Sequence, residues 1–60
     1  MQFLTVSEVA TILKLNILTI YEYIRSGKLR AARFGRSYRV DHTDLLQFID
    51  EHKERTSQPI

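Results

Sequence analysis

The spacing of apolar residues changes twice along this chain, and the change limits the folds that it can adopt. Residues 6–13 and 17–24 each carry one apolar stripe with helical spacing, whereas residues 29–40 alternate with a period of two. Helical spacing returns from residue 42 to about residue 53. The order of helix, helix, β-hairpin and helix therefore predicts an α+β domain that is mainly α.

Polar residues that cap helices stand immediately before the apolar stripes. Thr5 and Glu8 have the spacing of a capping box, and Asn16 and Asp41 suit the N-caps of the second and third helices. Gly27 predicts the end of the second helix, because glycine readily adopts the left-handed conformation that closes helices. The predicted core side chains of the helices are Val6, Val9, Ala10, Leu13, Ile17, Ile20, Ile24, Leu45, Leu46, Phe48 and Ile49.

The first two helices are short and are joined by about three residues. Each has a single apolar stripe and is stable only when it packs across the other, which predicts a helix-turn-helix arrangement. A plain helical hairpin has the same pattern. Tyr21 and Tyr23 flank the stripe of the second helix and are expected to bury their rings and leave their hydroxyls in water. When Ile20 faces the core, the outward side of this helix carries Leu18, Thr19, Glu22, Arg25 and Ser26.

Residues 35–37 have the composition of a hairpin turn. We predict a three-residue loop, because that register places Phe34 opposite Tyr38 on an apolar face. Arg33 then lies opposite Arg39 on the other face. Like charges in this position are destabilising, so the arrangement favours a surface that binds an anionic ligand. Two arginines that extend into water are the alternative.

Positive charge is concentrated in one segment of the chain. The whole chain has a net charge of +2, but residues 25–40 contain six lysines and arginines and no acidic residue. Such a segment suits a polyanion, above all nucleic acid, although charge alone is equally consistent with a solvated surface. The third helix is acidic, so we expect it to stay away from nucleic acid and to close the core.

Length and composition exclude several classes of protein. Sixty residues are too few for a cofactor-binding half and a catalytic apparatus, so an enzyme is not expected. The chain has no cysteine, and its two histidines are ten residues apart, so neither a metal site nor a cofactor is predicted. No apolar run approaches the length of a membrane span, which predicts a cytoplasmic protein. We predict one domain over residues 1–53 and a disordered tail over residues 54–60.

The outward side chains of the second helix have the chemistry of DNA recognition. Thr19 and Ser26 can hydrogen-bond phosphates, and Arg25 can pair with a phosphate or a guanine edge. Leu18 can contact a thymine methyl group, and Glu22 can accept a hydrogen bond from a cytosine amino group. The hairpin arginines would lie along the backbone or in the minor groove.

Three segments, in this order, resemble the excisionase family: Leu4–Ala10, Thr19–Leu29 and Arg33–Val40. The similarity extends from about Leu4 to Ile49. Members of the family are small DNA-binding proteins with a MerR-like winged helix-turn-helix. The resemblance implies that the second helix enters the major groove and that the hairpin forms a wing in or along the minor groove. It also implies action near attachment sites of phages and integrative elements, where such proteins bend DNA and direct an integrase toward excision.

The resemblance also implies roles for single positions. Asn16 occupies the helix-cap position, and Thr19 and Tyr21 match groove-side and backbone-side positions of the second helix. Arg36 and Arg39 match basic positions of the wing. The candidate DNA-binding residues are therefore Asn16, Leu18, Thr19, Tyr21, Glu22, Arg25, Ser26, Lys28, Arg33, Arg36 and Arg39.

We predict a winged helix-turn-helix protein that binds double-stranded DNA, an excisionase or recombination directionality factor of a bacterial or phage mobile element. Its partners would be DNA, an integrase or recombinase, and further copies of itself bound cooperatively to adjacent sites in the nucleoid. A small MerR-like transcriptional regulator is an alternative with the same domain. A protein–protein interaction module that uses the exposed Leu18 is an alternative from another class.

Overall fold

Six secondary-structure elements make up the part of the chain, residues 2–54, that a computed structural model describes. In chain order they are β1 (Phe3–Thr5), α1 (Val6–Leu13), α2 (Ile17–Arg25), β2 (Ala32–Phe34), β3 (Ser37–Asp41) and α3 (His42–Glu51). Their types and order confirm the predicted α+β winged helix-turn-helix. The sequence did not indicate strand β1. Apart from Glu54, the predicted tail lies outside the described residues.

All three predicted N-caps are confirmed. In the capping box of α1, the Glu8 N–H donates to Thr5 Oγ1 at 3.0 Å, and the Thr5 N–H donates to Glu8 Oε1 at 2.8 Å. Asn16 Oδ1 accepts from an N–H in the first turn of α2 at 2.8 Å, and Asp41 Oδ1 accepts from one in the first turn of α3 at 3.0 Å. These local bonds fix the residue at which each helix begins.

Left-handed residues close both α1 and α2. Gly27 has a φ of 83°, and the Lys28 N–H donates to the Tyr23 carbonyl at 2.9 Å, so α2 ends where the sequence predicts. Lys14 has a φ of 58°, and its N–H donates to the Thr11 carbonyl at 3.2 Å. A left-handed backbone costs a residue with a Cβ atom about 1–2 kcal/mol, so the turn between α1 and α2 contains local strain.

The core lies between the sheet and the three helices, and its side chains come from distant parts of the sequence. Ile20, Leu29 and Val40 are almost fully buried, although they belong to α2, the α2–β2 loop and β3. The complete set of buried apolar residues is Val6, Val9, Ala10, Ile20, Leu29, Val40, Leu45 and Phe48.

Three residues predicted to lie on core faces are exposed, and for each the prediction was wrong. Phe34, predicted on the apolar face of the hairpin, is 56% exposed. Ile17 is 39% exposed because it is the first residue of α2, where the helix begins at the surface. Leu46 is 53% exposed because it lies about 100° around α3 from Leu45, whereas Phe48 and Ile49 flank Leu45 on the core side.

The three strands form one antiparallel sheet in the order β1-β3-β2, so β3 is central. The predicted three-residue hairpin loop is wrong. Phe34 pairs with Ser37, which leaves a two-residue turn over 35–36. Gly35 has a φ of 64° at the first turn position, as in type II′ turns, whose twist matches that of the flanking strands.

This register also separates the two arginines that were predicted to face each other. Arg33 pairs with Tyr38, and Arg39 pairs with Ala32 on one side and with Thr5 on the other. The predicted register assumed that the hairpin contains only two strands, so that Val40 had to pair with an apolar residue of the hairpin itself. Strand β1 supplies that partner instead, because Leu4 pairs with Val40.

Candidate nucleic-acid interface

A cleft of about 200 Å³, which we call the wing cleft, lies between the β2–β3 hairpin (the wing) and the first turns of α1 and α2. Its lining residues include two arginines and five residues with hydroxyl groups, and none of them carries a carboxylate. An anion in this cleft would therefore meet positive charge and hydrogen-bond donors. The lining residues are Thr5, Val6, Ser7, Ile17, Tyr21, Arg36, Ser37, Tyr38 and Arg39.

A stack of side chains connects the wing to α2. The rings of Tyr21 and Tyr38 meet edge to face, with 6.2 Å between centroids. The Tyr38 ring also contacts Arg33, whose guanidinium carbon lies 5.7 Å from the ring centroid. Edge-to-face rings and a cation over a ring each stabilise such a contact by about 0.5–1 kcal/mol. The stack therefore holds the wing in a fixed orientation relative to α2.

The three wing arginines, which the sequence predicts to contact DNA together, have different surroundings. Arg33 Nε donates to the Gly35 carbonyl at 3.0 Å and so supports the turn. Arg39 is half-buried, and its Nη1 donates to the Tyr38 carbonyl at 3.1 Å. Arg36 is exposed in the turn itself. The wing cleft brings together Arg36 and Arg39, and it does not include Arg33.

The outward side of α2 is largely as predicted. Leu18 is 67% exposed, and Glu22, Arg25 and Ser26 are exposed. Thr19 is half-buried, so the prediction that it lies on the outward side is only partly confirmed.

Some polar groups of α2 are already used within the domain. Ser26 Oγ donates to the Tyr23 carbonyl at 3.2 Å and so closes the helix. Asn16 Oδ1 caps α2. Tyr21 and Tyr23 are half-buried against the core, as the sequence predicts.

Lys28 lies on a different surface. It lines a cleft of about 190 Å³ between the α2–β2 loop and α3, which we call the α3 cleft, together with Gly27, Arg30, Asp44, Gln47, Phe48 and Glu51. Lys28 Nζ lies 5.8 Å from the centroid of the Tyr23 ring. The carboxylates of Asp44 and Glu51 share this cleft with the two bases. The cationic segment 25–40 is therefore divided between two surfaces.

The structure adds residues to the candidate site that sequence reasoning did not select. Ser7, Ser37 and Tyr38 line the wing cleft beside Arg36. The capping box at Thr5 fixes the start of α1 and so places Ser7 in the first turn of that helix. The capping box does not indicate which other element lies opposite this turn. The neighbour of Ser7 depends on the pairing of β1 with β3, which links residues more than thirty positions apart.

Metal and membrane features can be assessed over residues 2–54. No group of three or more histidine, cysteine, aspartate or glutamate side chains in that range is placed to hold a metal ion. No helix there is long and apolar enough to cross a membrane.

His52 contacts Phe48 within α3 and its C-terminal cap. Its Nδ1 lies 2.9 Å from the Phe48 carbonyl, and the two rings lie with 4.1 Å between centroids.

Residues 3–53 match a family model described as a helix-turn-helix domain, and that family includes excisionase-like DNA-binding proteins. The chain is 48% identical over 56 residues to "Uncharacterized protein YvgK" of Bacillus subtilis strain 168, which covers 93% of this chain. It is 46% identical over 39 residues to "Putative DNA-binding protein Rv0500A" of Mycobacterium tuberculosis strain H37Rv, which covers 65% of this chain. No solved structure matches the chain significantly.

The matched region is only part of each of these relatives. It spans 18% of the length of the Bacillus protein and 50% of the length of the mycobacterial protein. The similarity therefore concerns the domain and leaves out most of the Bacillus relative.

Proposed function

Because the chain belongs to the helix-turn-helix domain family, we propose that it binds double-stranded DNA sequence-specifically and acts by binding rather than by catalysis. The observation that carries this proposal is the wing cleft. Arg36, Arg39 and several residues with hydroxyl groups line this cleft, and none of the lining residues is acidic. The cleft lies beside the exposed face of α2. Phosphate contacts of this kind fix the position of a protein on the duplex.

The exposed face of α2 supplies base recognition in this proposal. The major groove of B-DNA is about 12 Å wide and admits one α-helix. Leu18 and Arg25 project from α2 into solvent, where they can contact a thymine methyl group and a guanine edge. Glu22 projects from the same helix and can accept a hydrogen bond from a cytosine amino group. The wing, fixed to α2 by the Tyr21–Tyr38 contact, then follows the adjacent backbone or minor groove.

We further propose that the protein serves as an excisionase, which directs an integrase or recombinase of a mobile element. The resemblance over Leu4 to Ile49 and the membership of excisionase-like proteins in this family support the role. A module of this size covers a short site, so several copies would bind adjacent sites cooperatively. The mycobacterial relative is named only as a DNA-binding protein, without a role in recombination.

A gel-shift measurement with a random-sequence duplex at low salt tests DNA binding. We expect a shift for the wild-type chain that weakens steeply as salt rises, because binding releases counterions from phosphates. Selection of a preferred sequence from a random pool then tests specificity. If an integrase is encoded beside the gene, an excision assay with that integrase tests the proposed role.

The outcomes separate the candidate functions. No shift at low salt would contradict DNA binding and would favour a protein–protein interaction through Leu18. Specific binding without any effect on excision would contradict the excisionase role and would leave transcriptional regulation as the function of the same domain.

A further inference from the structure

Hydrogen-bond donors from four separate parts of the chain converge on the wing cleft. Ser7 comes from the first turn of α1, Tyr21 from α2, and Tyr38 from β3, while Arg36 stands in the hairpin turn. These residues are brought together only by the tertiary fold. Ser7 and Arg36 are exposed and take no part in the hydrophobic core, whereas Tyr21 and Tyr38 are half-buried and pack against it.

Most of the hydroxyls that line this cleft make no hydrogen bond within the described part of the chain. Within residues 2–54, the side-chain oxygens of Ser7, Tyr21 and Tyr38 make no hydrogen bond to another residue. The Thr5 hydroxyl, which also lines the cleft, differs because it caps α1, and the Ser26 hydroxyl outside the cleft is bonded to the Tyr23 carbonyl. The cleft therefore contains donors that remain available to a ligand.

The chemistry of the lining selects an anion that only accepts hydrogen bonds. A phosphodiester carries one negative charge on two oxygens and has no donor of its own. A carboxylate in the lining would repel it, and the wing cleft has none. The α3 cleft has nearly the same volume, but it contains Asp44 and Glu51 and so does not suit a phosphate.

The dimensions fit one phosphate group. The cleft volume of about 200 Å³ equals that of about seven water molecules at roughly 30 Å³ each, which is enough for a phosphodiester with some of its hydration. The Tyr38 ring contacts both Arg33 and Tyr21, and these contacts restrict the position of its hydroxyl. Arg33 is thus a positioning residue that acts through Tyr38.

We propose that the wing cleft binds a single backbone phosphate of the DNA, held by the hydroxyls of Ser7 and Tyr38 and by the charge of Arg36. This site rests on the proposed DNA-binding function and deepens it. It would fix the register of the whole domain on the duplex, because one phosphate would contact α1 and the wing at the same time. Base recognition by α2 would then start from a fixed position.

The test uses variants that remove hydroxyls and retain shape. Tyr38→Phe and Ser7→Ala each delete one proposed donor, and Tyr23→Phe is the matched control, because Tyr23 lies outside the wing cleft. The probe is a duplex with the preferred sequence, and fluorescence anisotropy gives the affinity. We expect Tyr38→Phe and Ser7→Ala each to weaken binding about three- to tenfold, the usual net range for the loss of one hydrogen bond.

The salt dependence separates the hydroxyls from the arginine. Removal of a neutral hydroxyl should leave the slope of log affinity against log salt unchanged, whereas Arg36→Ala should make it shallower by roughly 0.9. Thermal unfolding of each variant shows whether it is folded at the temperature of the binding assay.

A scan with uncharged methylphosphonate linkages locates the phosphate. One linkage should weaken wild-type binding strongly and should have little further effect in the Ser7→Ala, Tyr38→Phe double variant, because the partner groups are already absent. Equal effects at every linkage in both proteins would overturn the proposed site, as would equal affinities of Tyr38→Phe and Tyr23→Phe. A wild-type chain that binds no duplex would instead overturn the function on which the site rests.

Discussion

The wing cleft and the α3 cleft have nearly equal volumes, about 200 and 190 Å³, and each is lined by two cationic side chains. They differ in their acidic groups, since Asp44 and Glu51 line only the α3 cleft. Opposite charges in one cleft cancel much of its potential, so Lys28 and Arg30 are poorly placed to attract a polyanion. The number of cations in a segment therefore says less about binding than the carboxylates that the fold places beside them.

Phe48 lines the α3 cleft and is 6% exposed, so its replacement tests whether this cleft is chiefly structural. Phe48→Ala should lower the free energy of unfolding by about 3–5 kcal/mol, because it removes a buried ring and leaves a cavity. Leu46→Ala is the matched control on the same helix, and we expect less than about 1 kcal/mol there, since Leu46 is 53% exposed. Urea titration followed by circular dichroism measures both. Equal losses would show that α3 packs on the core differently from the structure.

The paired arginines of the wing cleft should matter more for DNA binding than the paired bases of the α3 cleft. Arg36→Ala combined with Arg39→Ala should weaken binding to a random duplex by about 10- to 100-fold and reduce the salt slope by roughly 0.9 for each phosphate contact that is lost. Lys28→Ala combined with Arg30→Ala should change affinity less than about threefold, because Asp44 and Glu51 offset those charges. Anisotropy titrations at several salt concentrations measure the two variants. A larger loss in the second pair would reverse the comparison between the clefts.

Glu22 provides an acidic group on the outward face of α2. Its replacement tests whether a carboxylate also opposes DNA binding outside the two clefts. Glu22→Gln removes the charge and keeps the shape. Affinity for random DNA should rise, while discrimination against a mismatched site should fall by about 1 kcal/mol or more, the scale of one base contact. Competition titrations with matched and mismatched duplexes measure both quantities. If neither changes, Glu22 does not face DNA and the orientation of α2 in the groove must be revised.

Lys14 lies outside both clefts and should affect stability alone. Lys14→Gly removes the strain of a left-handed lysine, which exceeds the extra entropy that glycine loses on folding, so the free energy of unfolding should rise by about 0.5–1 kcal/mol. DNA affinity should stay within experimental error. Thermal melts and anisotropy test these two expectations. A fall in affinity would show that the turn between α1 and α2 contributes to the interface.

The parts of the fold that depend on neighbouring residues could be predicted from the sequence. Capping residues at Thr5, Asn16 and Asp41 act over two or three positions, and all three bonds are present. The predicted hairpin register was wrong because the true register depends on β1. That strand has three residues and is too short to show an alternating pattern in the sequence. Its pairing with β3 is a long-range effect of the tertiary fold.

The candidate site was predictable to a similar extent. Sequence periodicity identified the exposed side of α2, because the positions of the apolar residues define the buried face and the opposite face is then exposed. It could not separate Lys28 from Arg36, since both belong to one cationic segment and only the fold places them on different surfaces. Ser7 and Tyr38 carry no local signal of a ligand, and they enter the site through contacts between distant elements.

The contact between Tyr21 and Tyr38 also gives the molecule an optical reporter. The chain contains three tyrosines and no tryptophan, so its intrinsic fluorescence comes from tyrosine alone and is not masked by energy transfer to an indole ring. Two of these fluorophores line the wing cleft, while Tyr23 lies beyond it and packs against Phe48. Emission from the unlabelled protein, compared with that of the Tyr23→Phe variant, would therefore follow events at the wing in real time.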